Sequence, residues 1–170
     1  SLYRVLPISE LSSNEYGYFG VSSVGGYHAA KLGIYQELMD LVGFNSFAVL
    51  NMLNTKYLIS NQPLAGAMLN PIIESDTGYL YQNAGVLPRA YLVDSLKIIT
   101  DKQAIFDEMK RPLFNPAKYA IVEKHIDSQL GPIDSSTVQI TNYTPHRIDI
   151  MVDAAAPGLL VLSEIYYPAG

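Results

Sequence analysis

The sequence predicts an α+β fold, with a small α/β part followed by an antiparallel, β-sandwich-like part. In the first 60 residues, a short strand, two helical segments and a second strand follow one another. In the last third, apolar and polar residues alternate along segments that short, proline-bearing turns separate. This alternation is typical of an antiparallel sheet with one solvent-exposed face. We therefore place the two parts at residues 1–115 and 116–170.

The α/β part begins with the strand YRVLPI and continues, after a glycine pair at 25–26, into an amphipathic helix. The apolar residues of this helix recur at three- and four-residue steps as far as Val42. The next helix, NSFAVLNML, has Asn45 or Ser46 as its N-terminal cap and leads into the strand TKYLIS. Residues 61–90 contain three prolines, which predict loops around one strand, GYLYQN.

The strand RAYLVDSLKII comes next, followed by a helix in which Thr100 and Gln103 have the spacing of a capping box. Pro112 ends this helix, and a further strand lies in FNPAKYAIVEK. The continuous apolar run from Leu159 to Leu162 is expected at the centre of the C-terminal sheet. Because this strand would lack a closing partner, we expect the chain to be part of a longer protein.

The composition is that of a folded chain without cysteine chemistry. Apolar residues make up 49% of the 170 residues and charged residues 16%, which argues against disorder. The net charge of −5 and the scattered Lys and Arg residues argue against nucleic acid as a partner. The absence of cysteine excludes disulfides, thiolate metal sites and cysteine nucleophiles. No apolar run reaches the ~20 residues that a membrane-spanning helix needs.

No arrangement of residues points clearly to catalysis. The glycine pair before His28 could expose backbone N–H groups to an anion or a sugar phosphate, or it could only start a helix. The three histidines are far apart, so no metal site is predicted, and His28 could equally be a packing residue. Asp149 and Asp153 share one strand, where such a row is usually the solvent-exposed side. Glu164 is the better polar candidate, and its simpler interpretation is structural. We predict no catalytic residue and no cofactor.

Five phrases of the sequence together resemble one family. They are GGYHAAKLGIYQELMD, VLNMLNTKYLI, VLPRAYLV, FNPAKYAIVEK and GLLVLSEIYYPAG. In this order they are similar to the C-terminal extracytoplasmic region of the bacterial YfhO family. The resemblance implies a polytopic membrane protein related to glycosyltransferases that use polyprenyl-linked sugars. It also implies that the catalytic acidic residue belongs to the membrane-embedded remainder and that this part lies on the outer face of the inner membrane.

The residues that fall on these motifs include candidates for ligand contact. Those of the first three motifs are Gly26, Tyr27, His28, Lys31, Tyr35, Asn51, Asn54, Lys56, Tyr57, Pro88 and Arg89. From the resemblance we select Tyr27, His28, Lys31, Asn54 and Arg89 as candidate ligand-binding residues, with a structural role as the alternative for each.

These observations predict a non-catalytic extracytoplasmic module of a glycosyltransferase-like membrane protein, which positions a glycan or a cell-envelope acceptor. The 13 tyrosines suit a sugar-binding surface. The predicted partners are the membrane-embedded remainder of the same protein and a glycan or polyprenyl-linked sugar. The alternative is a structural domain that packs on the membrane portion or on a partner protein and has no ligand of its own. A third hypothesis, an independent hydrolase, requires two acidic groups in one cleft.

Overall fold

The computed structural model describes residues 2–26, 33–127 and 129–165. These residues form two compact units. The first contains the described residues up to Arg89 together with Glu164 and Ile165, and the second contains Ala90–Ser163. The chain combines helices with strands in mixed and antiparallel sheets, so the predicted α+β class is confirmed. Among the described residues, no helix is both long and apolar enough to cross a bilayer.

The first unit is built on a five-stranded mixed sheet. Its elements are β1 (Arg4–Pro7), a 3-10 helix (Ile8–Glu10), α1 (Glu15–Tyr18), β2 (Ser22–Ser23), α2 (Gly33–Leu41), α3 (Phe47–Met52), β3 (Thr55–Ser60), β4 (Leu69–Ser75) and β5 (Gly78–Asn83). The strand order is β2-β1-β3-β5-β4, with β1 parallel to β2 and β3, and β5 antiparallel to β3 and β4. Parallel neighbours need a crossover connection, and α2 and α3 lie in the one between β1 and β3.

The core of the first unit joins its strands to α3. Leu6 of β1, Leu58 of β3 and Tyr81 of β5 are buried in one cluster with Val24 and with Leu50 of α3. Full burial of side chains of this size stabilises a fold by roughly 1.5–3 kcal/mol each. The apolar residues at alternate positions of these strands therefore hold α3 on the sheet.

The second unit contains three two-stranded sheets and one helix. Its elements are β6 (Ala90–Val93), β7 (Ser95–Ile98), α4 (Lys102–Met109), β8 (Tyr119–Val122), β9 (Thr137–Thr144), β10 (Arg147–Asp153) and β11 (Leu159–Leu162). β9 and β10 form an antiparallel hairpin, and β11 pairs antiparallel with β6. β7 and β8 run parallel, and α4 lies in the connection between them.

The caps of two helices test the sequence analysis directly. Ser46 caps α3, because its Oγ lies 3.4 Å from the backbone N of Val49, so the second of the two predicted caps is confirmed. The predicted cap at Thr100 is wrong. Asp101 caps α4 instead, since its carboxylate accepts a hydrogen bond from the backbone N of Ala104 at 2.8 Å. A carboxylate at this position also interacts favourably with the helix dipole.

Three strands differ from the sequence analysis. β4 lies where loops are predicted. It is an edge strand, which can accommodate Pro71. Because it is exposed after its first residue, its sequence shows no alternation of apolar and polar residues. The single predicted strand RAYLVDSLKII is two strands separated at the exposed Asp94, because β6 and β7 pair with different partners. β11 is not a buried central strand: within the described residues it pairs with β6 alone, and Leu160 and Leu162 are exposed.

The division between the units also differs from the predicted boundary at residues 115 and 116. The units divide between Arg89 and Ala90. β6 pairs with β11, and β7 pairs with β8. Since α4 contacts both β7 and β8, all three of β6, β7 and α4 belong with the C-terminal strands. A parallel pairing across an intervening helix leaves no local mark in the sequence, so the change to alternating strands near residue 116 suggested a later boundary.

The glycine pair at the start of the first motif is required by a close backbone approach. Gly26 has a φ of 122°, and its N–H donates to the carbonyl of Leu11 at 2.6 Å. The N–H of Gly25 donates to Ser23 Oγ at 3.0 Å. Both N–H groups are therefore engaged within the unit, which disfavours the interpretation of this pair as an anion cradle.

We expect Gly25→Ala to lower the free energy of unfolding by about 1–3 kcal/mol, since overpacking against a fixed backbone costs about this much. The new Cβ would lie 2.6 Å from the carbonyl oxygen of Leu11. Gly17 of α1 is a matched control, because an added Cβ there meets nothing within 4 Å and alanine favours a helix. Urea denaturation measures both variants. An equal effect of Gly25→Ala and Gly17→Ala would contradict the packing explanation.

Candidate functional site

An asparagine cluster joins the second and third motifs in the first unit. The buried amide of Asn83 donates to Asn51 Oδ1 at 2.7 Å and to the carbonyl of Thr55 at 3.0 Å. Asn54 Nδ2 donates to the carbonyl of Leu87 at 2.8 Å, and the N–H of Leu87 donates to the carbonyl of Asn51 at 3.2 Å. The end of α3 thus holds the loop that follows β5.

Asn54 has a structural role in this cluster. Its φ is 56°, a left-handed conformation that asparagine adopts more readily than most residues. Its carbonyl accepts the N–H of Arg4, so it also fixes the start of β1. Asn54 Oδ1 and Thr55 Oγ1 are buried and have no hydrogen-bond partner within the described part of the chain. Because the side chain is only 5% exposed, a ligand could not reach Asn54 without a rearrangement.

A three-residue ion cluster lies in the same unit. Glu164 Oε2 lies 3.3 Å from Arg4 Nη2, and Glu164 Oε1 lies 2.5 Å from Arg89 Nε. Arg4 Nη1 also donates to the carbonyl of Leu53 at 2.9 Å. The cluster therefore ties the first strand, the loop before β6 and Glu164, two residues after β11, by charge-assisted hydrogen bonds. Glu164, the better polar candidate of the sequence analysis, has this structural contact.

Tyr35 of α2 lies near this cluster. Its hydroxyl donates to the carbonyl of Val24 at 2.6 Å. Burial raises the pKa of Tyr35 to about 12, although the charge of Arg4 acts in the opposite direction. A tyrosine that stays protonated over the physiological range serves here as a hydrogen-bond donor that holds α2.

The structure brings together two of the five predicted ligand-binding residues. Asn54 and Arg89 lie in one unit and are connected through Leu87, two residues before Arg89. Both are buried and bonded inside the unit, which favours the structural alternative for each. Tyr27, His28 and Lys31 lie outside the described residues, so their role stays a prediction.

A cavity in the second unit is the better candidate for a binding site. It has a volume of about 510 Å³ and lies between β7, α4 and β8. Its lining residues are Ser95, Leu96, Lys97, Glu108, Arg111, Pro112, Leu113 and Tyr119. Ser95 and Lys97 share one face of β7, and Tyr119 lies on the same face because it pairs with Ser95 in the parallel register. α4 covers this face, since Glu108 contacts both Lys97 and Tyr119.

The carboxylate of Glu108 is the electrostatic centre of the cavity. Glu108 is only 7% exposed, and its Oε2 lies 2.7 Å from Lys97 Nζ and 3.3 Å from Arg111 Nη1. Its Oε1 accepts a hydrogen bond from the hydroxyl of Tyr119 at 2.7 Å. The hydrogen bond from Lys97, followed by that from Tyr119, lowers the pKa of Glu108. Burial and the neighbouring carboxylate raise the pKa of Tyr119 to about 12. At neutral pH the site therefore holds a carboxylate, two cations and a protonated phenol.

The residues of this cavity are not among those that the sequence pattern predicts as functional. Lys97, Glu108 and Tyr119 are brought together by a parallel strand pair and a helix, so no local spacing connects them. The available signals were a lysine within the apolar stretch SLKII and a glutamate three residues before Arg111 on α4. Among the described residues, no group of acidic residues and histidines is placed to hold a metal ion.

We expect Glu108→Gln to lower the free energy of unfolding at neutral pH by about 1–3 kcal/mol, because Lys97 and Tyr119 would lose a charged acceptor in a buried site. Because the pKa of Glu108 is lowered in the folded protein, its carboxylate stabilises the fold fully above pH 4.5, the ordinary pKa of a glutamate side chain. That contribution is lost as the pH falls below 4.5, so Glu108→Gln should flatten this part of the stability profile.

The matched control is Glu123→Gln, which makes the same chemical change at an exposed position of the same unit. Urea denaturation between pH 7 and pH 3 measures both variants. If Glu108→Gln followed the control at every pH, the ion cluster would have no stabilising role.

Comparisons with known proteins add no identification to this geometry. No protein-family model, no curated protein and no solved structure matches the chain. The resemblance to the YfhO family, and the setting that it implies, stay predictions.

Proposed function

We propose that this chain is a non-catalytic, extracytoplasmic module of a bacterial, glycosyltransferase-like membrane protein and that it holds a glycan or another cell-envelope acceptor. The cavity between β7, α4 and β8 supports this proposal. Its volume of about 510 Å³ falls in the range of small-ligand sites, which is about 300–1,000 Å³. Its lining combines the hydroxyl of Ser95 and the cations of Lys97 and Arg111 with the apolar Pro112 and Leu113.

This combination suits a sugar, which presents hydroxyl groups at its edges and C–H groups on its faces. Leu113 is 90% exposed and stands at the cavity, where it can pack against an apolar sugar face. Lys97 and Arg111 can donate hydrogen bonds to sugar oxygens. The hydroxyl of Ser95 donates to Asp94 at 2.9 Å, so the oxygen of Ser95 can accept a hydrogen bond from a sugar hydroxyl.

The electrostatics of the cavity favour binding over hydrolysis. Among the described residues that line the cavity, Glu108 supplies the one carboxylate. Most glycoside hydrolases use two carboxyl groups, and their general acid has a raised pKa. The pKa of Glu108 is lowered instead, so this group is poorly suited to donate a proton at neutral pH. The carboxylate is better suited to fixing the cations that contact a ligand.

We expect the chain to bind at least one glycan on an array of bacterial envelope glycans, and Leu113→Ser to weaken this binding about tenfold, which corresponds to about 1.4 kcal/mol of lost apolar contact. Because Leu113 is exposed, its replacement should leave the fold intact. Leu2→Ser replaces an exposed leucine of the first unit and serves as the control. The absence of binding to every glycan, or equal losses in both variants, would contradict the proposal.

Tyr27, His28 and Lys31, which lie outside the described residues, stay predicted ligand contacts and are tested separately from the cavity. We expect His28→Ala to weaken glycan binding in the same array, because the ring can donate a hydrogen bond and pack on a sugar. His146→Ala is the matched control, since His146 lies at the exposed end of the β9–β10 hairpin. Unchanged affinity of His28→Ala would assign glycan binding to the cavity alone.

The alternative is a structural or interaction domain that packs on the membrane-embedded remainder or on a partner protein. It is favoured by Tyr18 and Phe19, two neighbouring aromatic residues that are 89% and 81% exposed. Exposed aromatic residues are common in protein interfaces. Co-purification of the chain with the membrane-embedded part of its parent distinguishes the two functions: under the alternative, a Tyr18→Ser, Phe19→Ser variant would lose that association, and the unaltered chain would bind no glycan.

A further inference from the structure

We propose that the cavity between β7, α4 and β8 selects saccharides that carry an acidic group, a carboxylate or a phosphate, and that Arg111 binds this group. The inference rests on the proposed glycan-binding function and specifies its ligand class. It starts from the unequal positions of the two cations that share Glu108. Lys97 Nζ lies 2.7 Å from the carboxylate, whereas Arg111 Nη1 lies 3.3 Å from it.

Glu108 engages Lys97 more closely than Arg111. Lys97 of β7 contacts Glu108 Oε2, and Tyr119 of β8 donates a hydrogen bond to Oε1, so both carboxylate oxygens have a partner on the strands. Arg111 approaches the same Oε2 from the end of α4, and its side chain is 67% exposed. Since a guanidinium has five N–H donors, most of the donors of Arg111 face solvent at the cavity. Arg111 can therefore bind a second anion while Glu108 keeps its contacts with Lys97 and Tyr119.

The charges that face the cavity favour an anionic ligand. Lys97 and Arg111 contribute two positive charges, and Glu108 contributes one negative charge. Lys110, the residue before Arg111, is not among the lining residues, and its ammonium lies 2.8 Å from the carboxylate of Asp107. Arg111 is thus the cation at the end of α4 that the cavity presents to a ligand.

The geometry of arginine strengthens this assignment. The planar guanidinium matches a carboxylate or phosphate with two parallel N–H···O hydrogen bonds, which a lysine ammonium cannot reproduce. Leu113 lies two residues after Arg111 and is exposed beside it in the cavity lining. An acidic sugar can therefore place its charged group on Arg111 and an apolar ring face on Leu113. Because the charge of Arg111 is exposed, binding should weaken at high salt.

Titration calorimetry of the full chain with three probes tests the proposal. The probes are trigalacturonic acid, neutral galactotriose and glucose 6-phosphate. We expect trigalacturonic acid to bind about fivefold more tightly than galactotriose, which corresponds to one exposed ion pair of about 1 kcal/mol. We expect glucose 6-phosphate to bind through its phosphate, and its failure to bind would overturn the phosphate part of the proposal.

Arg111→Gln should abolish the preference for trigalacturonic acid, because glutamine keeps hydrogen-bond donors for neutral sugar oxygens but carries no charge. Arg111→Lys should retain part of the preference, because it keeps the charge and loses the bidentate geometry. Lys110→Gln is the control, since it removes a neighbouring charge that does not line the cavity. Circular dichroism confirms that each variant is folded.

The outcomes separate this inference from the proposed function. Equal affinity for the acidic and neutral trisaccharides, or an equal loss in Arg111→Gln and Lys110→Gln, would overturn the selectivity and leave glycan binding in place. The failure of all three probes and of every array glycan to bind would overturn both.

Discussion

The requirement that buried polar groups find partners determines how distant segments of this chain are joined. In the second unit, the buried carboxylate of Glu108 requires donors, and those donors come from β7 and β8. In the first unit, the amide of Asn83, which is fully buried, is bonded to α3 and β3. A buried polar group that loses its partner costs about 1–3 kcal/mol, as much as a core side chain contributes. These contacts therefore specify which segments meet.

Local sequence patterns predicted the elements whose signals are local. TKYLIS and GYLYQN are β3 and β5, and Ser46 caps α3, because alternation and capping depend on residues a few positions apart. The break at Asp94, the boundary after Arg89 and the exposure of β11 depend on which strands pair. The cavity depends on the same pairings, so the local signals of Lys97 and Glu108 did not connect the two residues. Composition and periodicity do not contain this information.

The motif residues and the cavity residues have different roles. Asn51, Asn54, Arg89 and Glu164 come from three of the resembling motifs, and all four hold segments of the first unit together. Of the polar groups that contact Glu108, Tyr119 lies in a motif, whereas Lys97 and Arg111 do not. These four motif residues therefore have structural contacts in the first unit.

The exposure of the cavity limits how strong the proposed glycan binding can be, and weak binding suits the proposed role of presenting an acceptor. An exposed ion pair contributes about 0–1 kcal/mol, and partial burial of one leucine contributes about 1–2 kcal/mol. A few such contacts correspond to dissociation constants in the millimolar range. A module that hands its ligand to a separate catalytic centre must release it in every cycle, so weak binding is an advantage. Tight retention would instead slow the transfer that the membrane-embedded part is proposed to perform.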